Sequence, residues 1–439
     1  MVRMDNPISN RFIYTILACM FSISLLGMFM GGMLGERIGL EMADIAERIV
    51  SGYGFASPYL PVDSGEPTRV SAPLYVGIIS IVYYFFGIKS VEANTLLQLL
   101  NICLNAVSLI LLLKLCEKHF GTLQAKVFSI MFVVQPHFLF IAAKAWETCL
   151  TMMLLSMLLY FIMMAYERNR LTHQIAMGGL LGLISLSNPA WTFSYPLLCI
   201  LLYKKHNLAE FLQSSVKPIA IVFLFFCIVV SPWLVRNYNA SGEIGFIRNM
   251  TSPEIYKGNN SESLGGHGLG FVKHFIYVSD EQRELYAELG EVAYEKHMST
   301  LAKSEIANNP ARYIALTVNR IIMWWSGDYD LVLWRYNRGE TKEVALGVVF
   351  TIYGALISCL AFAGTWRWIK EKQPVWPILL LVYFLPIPYY FMVVGFRYQS
   401  SLMAFTLIPA SFFVAIYAKN FINITALNKK HLQNIDSTA

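Results

Sequence analysis

Charge is scarce in this chain. Only 14% of its 439 residues are Asp, Glu, Lys or Arg, against 56% hydrophobic residues and a mean hydropathy of +0.51. That composition excludes a soluble domain of this length and makes the bilayer the solvent. The seven cysteines include no CxxC pair and no His-paired zinc spacing. Cys19, Cys103, Cys116, Cys149, Cys199, Cys227 and Cys359 lie in or beside apolar stretches and read as small core residues. No metal-binding pattern is evident, and no cofactor is expected. The Gly-rich stretch from Leu264 to Gly270 lacks both the preceding strand and the Gly-Lys-Ser/Thr ending of a phosphate-binding loop. A flexible loop is expected there, not a nucleotide cradle. Neither an internal repeat nor a matched pair of broken apolar segments is present, which argues against a transporter built from two halves.

The formal net charge of +6 is carried at the ends of apolar runs, so it reports topology rather than nucleic-acid binding. The first run, about Phe12 to Leu34, is longer than a signal-peptide core, lacks a small-residue cleavage site and reads as the first span. Further windows of spanning length fall near 93–115, 124–143, 147–166, 217–235, 342–364, 375–395 and 398–418. A hairpin over 173–203 turns at Ser187, Asn188 and Pro189. The expected architecture is an all-α polytopic membrane protein of about ten transmembrane helices.

Basic connections place the cytoplasmic side at Arg3 and Arg11, at Lys114, Lys118 and Lys126, at Arg168 and Arg170, and at Lys204, Lys205 and Lys217. Arg367, Lys370, Lys372 and the tail with Lys419, Lys429 and Lys430 join them. Parity is kept if the apolar segment 73–86 does not cross. At about 1.5 Å per residue it reaches roughly 21 Å, short of a core of about 30 Å, so an interfacial or re-entrant helix is expected. The external regions are then 35–92 and 236–341. Helix is expected over roughly 280–325, after the acidic start Asp280-Glu281, with a second helix starting at Asn309-Pro310. Three parts follow: an N-terminal membrane module 1–235 holding the first external loop, an external region 236–341, and C-terminal spans with a basic tail, 342–439.

Several external side chains can carry chemistry. Glu41 and Asp44 are three apart on a helical stretch just beyond the first span, hence on one face. Carboxylates at a bilayer surface can serve as proton acceptors. A solvated amphipathic helix with Asp44 paired to Arg48 fits the same spacing. Glu147 opens the fourth span, where the helix dipole favours an acid; it either does only that or faces the same cavity as Glu41. Arg236, Arg397 and Lys144 are cations on the external side, against the positive-inside preference. They either snorkel to headgroups or bind an anionic partner such as a phosphate, whose geometry suits arginine.

The motifs Gly39-Leu40-Glu41-Met42, Ile45-Ala46, Gly52-Tyr53-Gly54-Phe55-Ala56-Ser57-Pro58, Pro67-Thr68 and Ala72-Pro73-Leu74-Tyr75 occur in order. Trp146-Glu147-Thr148, Ser187-Asn188-Pro189-Ala190, Pro232-Trp233-Leu234-Val235-Arg236-Asn237-Tyr238 and Tyr256-x-Gly258-Asn259 follow. Gly290-Glu291, Ala293-Tyr294, Asn309-Pro310 and Arg312-Tyr313 complete the run, and Arg397-Tyr398 echoes a C-terminal feature. The pattern, over roughly residues 35–325, resembles bacterial GT-C class glycosyltransferases related to dolichyl-phosphate-mannose protein mannosyltransferases.

That resemblance implies inverting transfer of a sugar from a polyprenyl-phosphate-linked donor to an acceptor (lipid, glycan or protein) at the external, periplasmic face of a bacterial cytoplasmic membrane. It implies an acid in the first external loop as base and cations beside the leaving phosphate. On this sequence the base falls to Glu41, with Asp44 and Glu147 next, and the donor phosphate to Arg236, Arg397 and Lys144. Asn188, Asn237 and Tyr238 are the expected positioning residues. Many relatives carry an Asp-Glu pair seven or eight residues before the alanine matched by Ala46; here Ile38 and Gly39 occupy those places, and Glu41 is the nearest acid. A lipid or solute transporter and a surface-glycan polymerase or ligase are the competing readings of the same external charges.

Overall fold

The computed structural model describes residues 7–36, 39–167, 170–194, 208–371 and 376–436. Among these, helices make up the fold, and the extended contacts amount to one isolated bridge between Ala56 and Pro67. Among the described residues, six helices are long and apolar enough to cross a membrane: Asn10–Met30, Val91–Phe120, Thr148–Ala165, Val216–Ser241, Thr341–Lys370 and Phe396–Lys419. The chain is an integral membrane protein.

Two expected spans are broken. The window 124–143 divides into Thr122–Val133 and Pro136–Ala142, bent by 52°, because Pro136 has no N–H to give and its ring crowds the preceding turn. The window 375–395 divides into Trp376–Tyr383 and Ile387–Phe391, with Pro386 and Pro388 at the second start. The expected hairpin has its first arm as Leu171–Ser187 and its turn as the 3-10 segment Pro189–Ser194; its second arm lies outside the described residues. Arg3, Arg168, Lys204, Lys205, Lys372 and the side chains of Lys429 and Lys430 also lie outside them.

Segment 73–86 is a 14-residue helix, Pro73–Phe86, opened by proline in its first turn. Tyr75, Val76, Ile79 and Tyr83 are buried, whereas Ile81, Tyr84, Phe85 and Phe86 are exposed. One side packs on protein, and the other offers aromatic rings of the kind that settle at a lipid interface.

Small residues set the closest helix approaches. A side chain at Gly178 would meet the Val222 carbonyl, one at Gly182 would meet Val229, and one at Gly364 would meet the Pro409 carbonyl. Lipid tails are as apolar as the helices, so backbone proximity and dispersion, not a hydrophobic drive, hold such pairs.

The seventh expected span runs further than its apolar window. Helix Leu208–Ser241 carries through Pro218 and Pro232 to Ser241, so Arg236, Asn237 and Tyr238 sit on its last turns rather than in a loop. Beyond it lie Thr251–Asn259, Leu269–Lys273, Asp280–Asn308, Pro310–Ser326 and Tyr329–Asn337. The helix boundary at Asn309-Pro310 is where the sequence puts it. A further break at Gly290, with φ 74° and ψ 164°, was not expected; glycine alone adopts that geometry without strain. Arg320, fully buried, fastens this region to the C-terminal segment by donating to the carbonyls of Gly258 (2.8 Å), Tyr390 (2.7 Å) and Met392 (3.0 Å).

Candidate active site

A cavity of about 350 Å³ opens where the first-loop helix Glu41–Val50, the external helices and the ends of Thr341–Lys370 and Phe396–Asp436 meet. Its walls carry the charged or polar side chains Glu41, Arg248, Glu254, Lys257, His267 and Arg397. Phe140, Leu331, Val332, Leu346 and Phe350 line it as well, with Arg335 and Glu343 also in the wall. His137, buried at the proline break, is a further lining residue, its ring stacked on Phe396 at 4.5 Å.

Glu41 is the first residue of its helix and accepts a hydrogen bond from the Tyr59 hydroxyl at 3.3 Å. Burial, reinforced by the Glu41 charge, pushes the Tyr59 phenol well up, so it remains a donor. Asp44, one turn on, faces a different space. It pairs with Lys89 at 2.7 Å and accepts from the Tyr277 hydroxyl at 2.9 Å, lining a separate crevice with Tyr59 and Arg283. The expected partner Arg48 instead donates to the Asp44 backbone carbonyl (3.0 Å) and to the Leu60 carbonyl (2.7 Å). Two acids sharing a helix face therefore serve two spaces.

The three expected cations part company. Arg397 lines the cavity, forms a short ion pair with Glu147 and lies over the Trp146 ring at 5.0 Å. Asn188 donates to the other oxygen of Glu147 at 3.3 Å. Glu147 is thus the counter-ion of Arg397, while the Arg397 Nε and the Trp146 indole nitrogen are left without partners beside the cavity. Arg236 is outside the cavity. Its guanidinium donates to the carbonyls of Thr68 (2.5 Å) and Phe55 (2.8 Å) and sits over the rings of Phe55 and Trp233, each at 5.0 Å. It ties the first external loop to the end of a span. Lys144 rests over Phe140 at 5.0 Å, away from the cavity wall, and burial holds its ammonium below the usual lysine range. Asn237, fully buried, spends its amide on the carbonyls of Phe246 (2.9 Å) and Ile247 (3.1 Å). Tyr238 is exposed.

Three cavity cations were missed in the sequence: Arg335 and, beside Glu254, Arg248 and Lys257. The latter two pair with Glu254, at 3.4 and 3.0 Å, and Lys257 lies over Phe271 and Phe275 at 4.5 and 4.8 Å. Burial pushes the Glu254 carboxyl up, but Lys257 and Arg248 outweigh it and hold the group below the ordinary carboxylate range. Two cations on one anion leave a net positive charge in a partly apolar wall. A signal was present: Lys257 is the unassigned position within Tyr256-x-Gly258-Asn259. Gly258 itself packs so closely on Met392 that a side chain would strike the Met392 carbonyl.

The stretch Leu264 to Gly270 is pinned, not flexible. The amide of Gly266 donates to Asp330 at 3.1 Å and that of His267 to Asp328 at 3.1 Å. The His267 ring nitrogen Nδ1 meets the same Asp328 oxygen at 3.0 Å. The glycines are required because a side chain at Gly266 or Gly268 would run into the Asp328 and Asp330 carboxylates. Among the described residues, no group of three or more His, Cys, Asp or Glu side chains is arranged to hold a metal ion.

No protein-family model matches the sequence, and no curated protein does. Solved structures do match. The oligosaccharyltransferase of Archaeoglobus fulgidus, complexed with Zn and sulfate, aligns over 93% of this chain at 12% identity and a TM-score of 0.53. The same enzyme tethered to an acceptor peptide aligns over 94% at 14% identity and a TM-score of 0.51. This chain spans 49% and 51% of the length of those two chains. ArnT from Cupriavidus metallidurans, bound to undecaprenyl phosphate, aligns over 94% of this chain and 79% of its own at 11% identity, with a TM-score of 0.42. The fold, an all-helical membrane bundle with a helix in the loop after the first span and a partly helical region between Ser241 and Thr341, is that of the GT-C class of membrane glycosyltransferases.

Proposed function

We propose that this protein is an inverting glycosyltransferase that moves a sugar from a polyprenyl-phosphate carrier to an acceptor hydroxyl or amide at the external face of a bacterial cytoplasmic membrane. One observation carries the reading: the Glu41 carboxylate and the cations Arg248, Lys257 and Arg397 line a single cavity whose wall also holds Phe140, Leu331, Val332, Leu346 and Phe350. The A. fulgidus enzyme of this fold transfers oligosaccharide, which supports the reaction class.

In this reading, the apolar side chains hold the first units of the carrier lipid, and the cations hold the phosphate. Glu41 takes the acceptor's proton as the acceptor atom bonds to the anomeric carbon from the side opposite the phosphate. The carbon–oxygen bond to phosphate breaks, and the electron pair leaves with the carrier. Cations fixed where that charge develops need no reorganisation during the step. The module 1–235 supplies the base and the external region 236–341 supplies Arg248 and Lys257. The C-terminal part 342–439 contributes Arg397.

The test is transfer by purified protein in lipid nanodiscs from polyprenyl-phosphate donors carrying labelled sugars, with the anomeric configuration of the product read by NMR. Transfer with inversion is expected. Absence of transfer together with counterflow of a solute in proteoliposomes would replace this reading with a transporter.

A further inference from the structure

His267 lines the cavity, yet the transfer step gives it no part. Its ring is held from several directions. Nδ1 lies 3.0 Å from Asp328, and Phe271 meets the ring edge-on at a centroid distance of 4.2 Å. The space a side chain at position 395 would need is occupied by the imidazole, so Gly395 makes room for it. Asp328 is buried and fixed in turn, accepting from the amides of His267 (3.1 Å) and Leu331 (3.2 Å). With Nδ1 committed to Asp328, the ring's other nitrogen, Nε2, has no protein partner among the described residues, and the side chain keeps 19% of its exposure. An imidazole oriented by a carboxylate, with its second nitrogen open to a cavity, is an arrangement suited to moving a proton.

The charged and titratable surroundings are mixed. Asp328 caps the helix Tyr329–Asn337, and Asp330 stands in its first turn. Glu254 on Thr251–Asn259 feels the charge of the ring, and Lys257 shares the Phe271 ring with it. Tyr398 on the last helix is 6.2 Å away between ring centroids, and Arg248, Arg335 and Arg397 share the cavity.

Resting on the glycosyl-transfer reading, we propose that His267 is a second catalytic residue, which, as the imidazolium, hands its Nε2 proton to the departing carrier phosphate while Asp328 keeps the ring oriented. The balance is complete. The donor is a phosphodiester with one negative charge. As the bond from the anomeric carbon to oxygen breaks, that oxygen keeps the electron pair and would carry a second charge. The proton from His267 meets it there, so the carrier leaves as the singly charged monoester. Glu41 holds the proton from the acceptor, Glu41 and His267 then exchange protons with water, and no further reactant is needed.

The experiment is the pH profile of kcat and kcat/KM for transfer by the full-length protein in nanodiscs, using a labelled polyprenyl-phosphate sugar donor, for the parent, His267→Gln and Asp328→Asn. Binding of polyprenyl phosphate is measured alongside. In the parent, turnover should decline on the alkaline side, as the imidazolium loses its proton. In His267→Gln that alkaline limb should vanish and kcat should fall by about 10²-fold or more, with product binding within a few-fold of the parent. Asp328→Asn should move the limb to lower pH, since a lost negative neighbour makes the imidazolium easier to deprotonate. A parent profile with no alkaline limb overturns the proposal without any variant. So does a His267→Gln protein that binds product and keeps either the limb or near-normal turnover. No transfer by the parent at any pH would instead overturn the glycosyl-transfer reading itself.

Discussion

Arg397 and Glu147, 250 positions apart in the sequence, meet in a charge-assisted hydrogen bond in the wall of the cavity, with Glu147 only 5% exposed. Breaking such a pair from one side strands a buried charge and costs about 3–5 kcal/mol. Arg397→Gln should therefore lower the thermal midpoint of the purified protein markedly. The double variant Glu147→Gln/Arg397→Gln should be less destabilised than the sum of the two single changes. Additive losses in that cycle would mean the two side chains act independently.

Glu41 is the only one of the three candidate acids that faces the cavity without a cation bound directly to its carboxylate among the described contacts. Glu41→Gln keeps the shape and removes the base. Transfer should drop by about 10²-fold or more, with donor binding and expression retained. Asp44→Asn should leave the chemical step largely intact, because Asp44 belongs to the other crevice. Loss of transfer in Asp44→Asn alone would move the base there.

Arg236 and Arg248 make opposite predictions. Arg236→Ala strips donors from the Thr68 and Phe55 carbonyls and should destabilise the protein by about 1.5–3 kcal/mol, while the donor KM of the folded fraction stays near that of the parent. Arg248→Ala should raise the donor KM at least several-fold. Titration of polyprenyl phosphate binding against salt checks this, because binding that rests on cavity cations weakens as ionic strength rises.

Glu254 supplies a pH dependence of stability. Its folded carboxyl is held below the unfolded value, net of burial, by Lys257 and Arg248. A depressed acid stabilises above its unfolded pKa and loses that contribution as pH falls through the folded one. Unfolding midpoints should thus be steady near neutrality and fall in acid, below about 4.5. Glu254→Gln should flatten that part of the acid slope while lowering the midpoint at pH 7. An unchanged acid slope would dissociate Glu254 from the effect.

Topology is tested by cysteine labelling on a background without the native cysteines. A cysteine at Ser261, in the external region, should react with an impermeant reagent in intact cells. One at position 210 should react only after permeabilisation. Labelling of position 210 from outside would reverse the sidedness argued from the basic loops.

Composition and periodicity alone determined that this chain is a helical membrane protein, because the bilayer tolerates only runs of about 20 apolar residues whose backbone is satisfied within the segment. They also determined the short helix Pro73–Phe86 and the helix start at Asn309-Pro310, since length and proline geometry act locally. The bend at Pro136 was legible as a proline but not as a broken span: hydropathy averages over a window and does not see a lost hydrogen bond. The extension of Leu208–Ser241 past its apolar stretch was equally invisible to a hydropathy threshold.

The partners of the charges were decided only by the tertiary structure. Sequence spacing placed Glu41 and Asp44 on one helix face, but whether a neighbour is a cavity or Lys89 depends on chain 40 residues and more away. Arg236 and Arg397 have the same address at a span boundary. One finds backbone carbonyls and the other finds Glu147, because a buried guanidinium must be satisfied by whatever packing brings to it. Arg248, Lys257 and the His267–Asp328 pair emerge only when the external helices fold over the bundle, since no local pattern records which distant groups will face one another across a cavity.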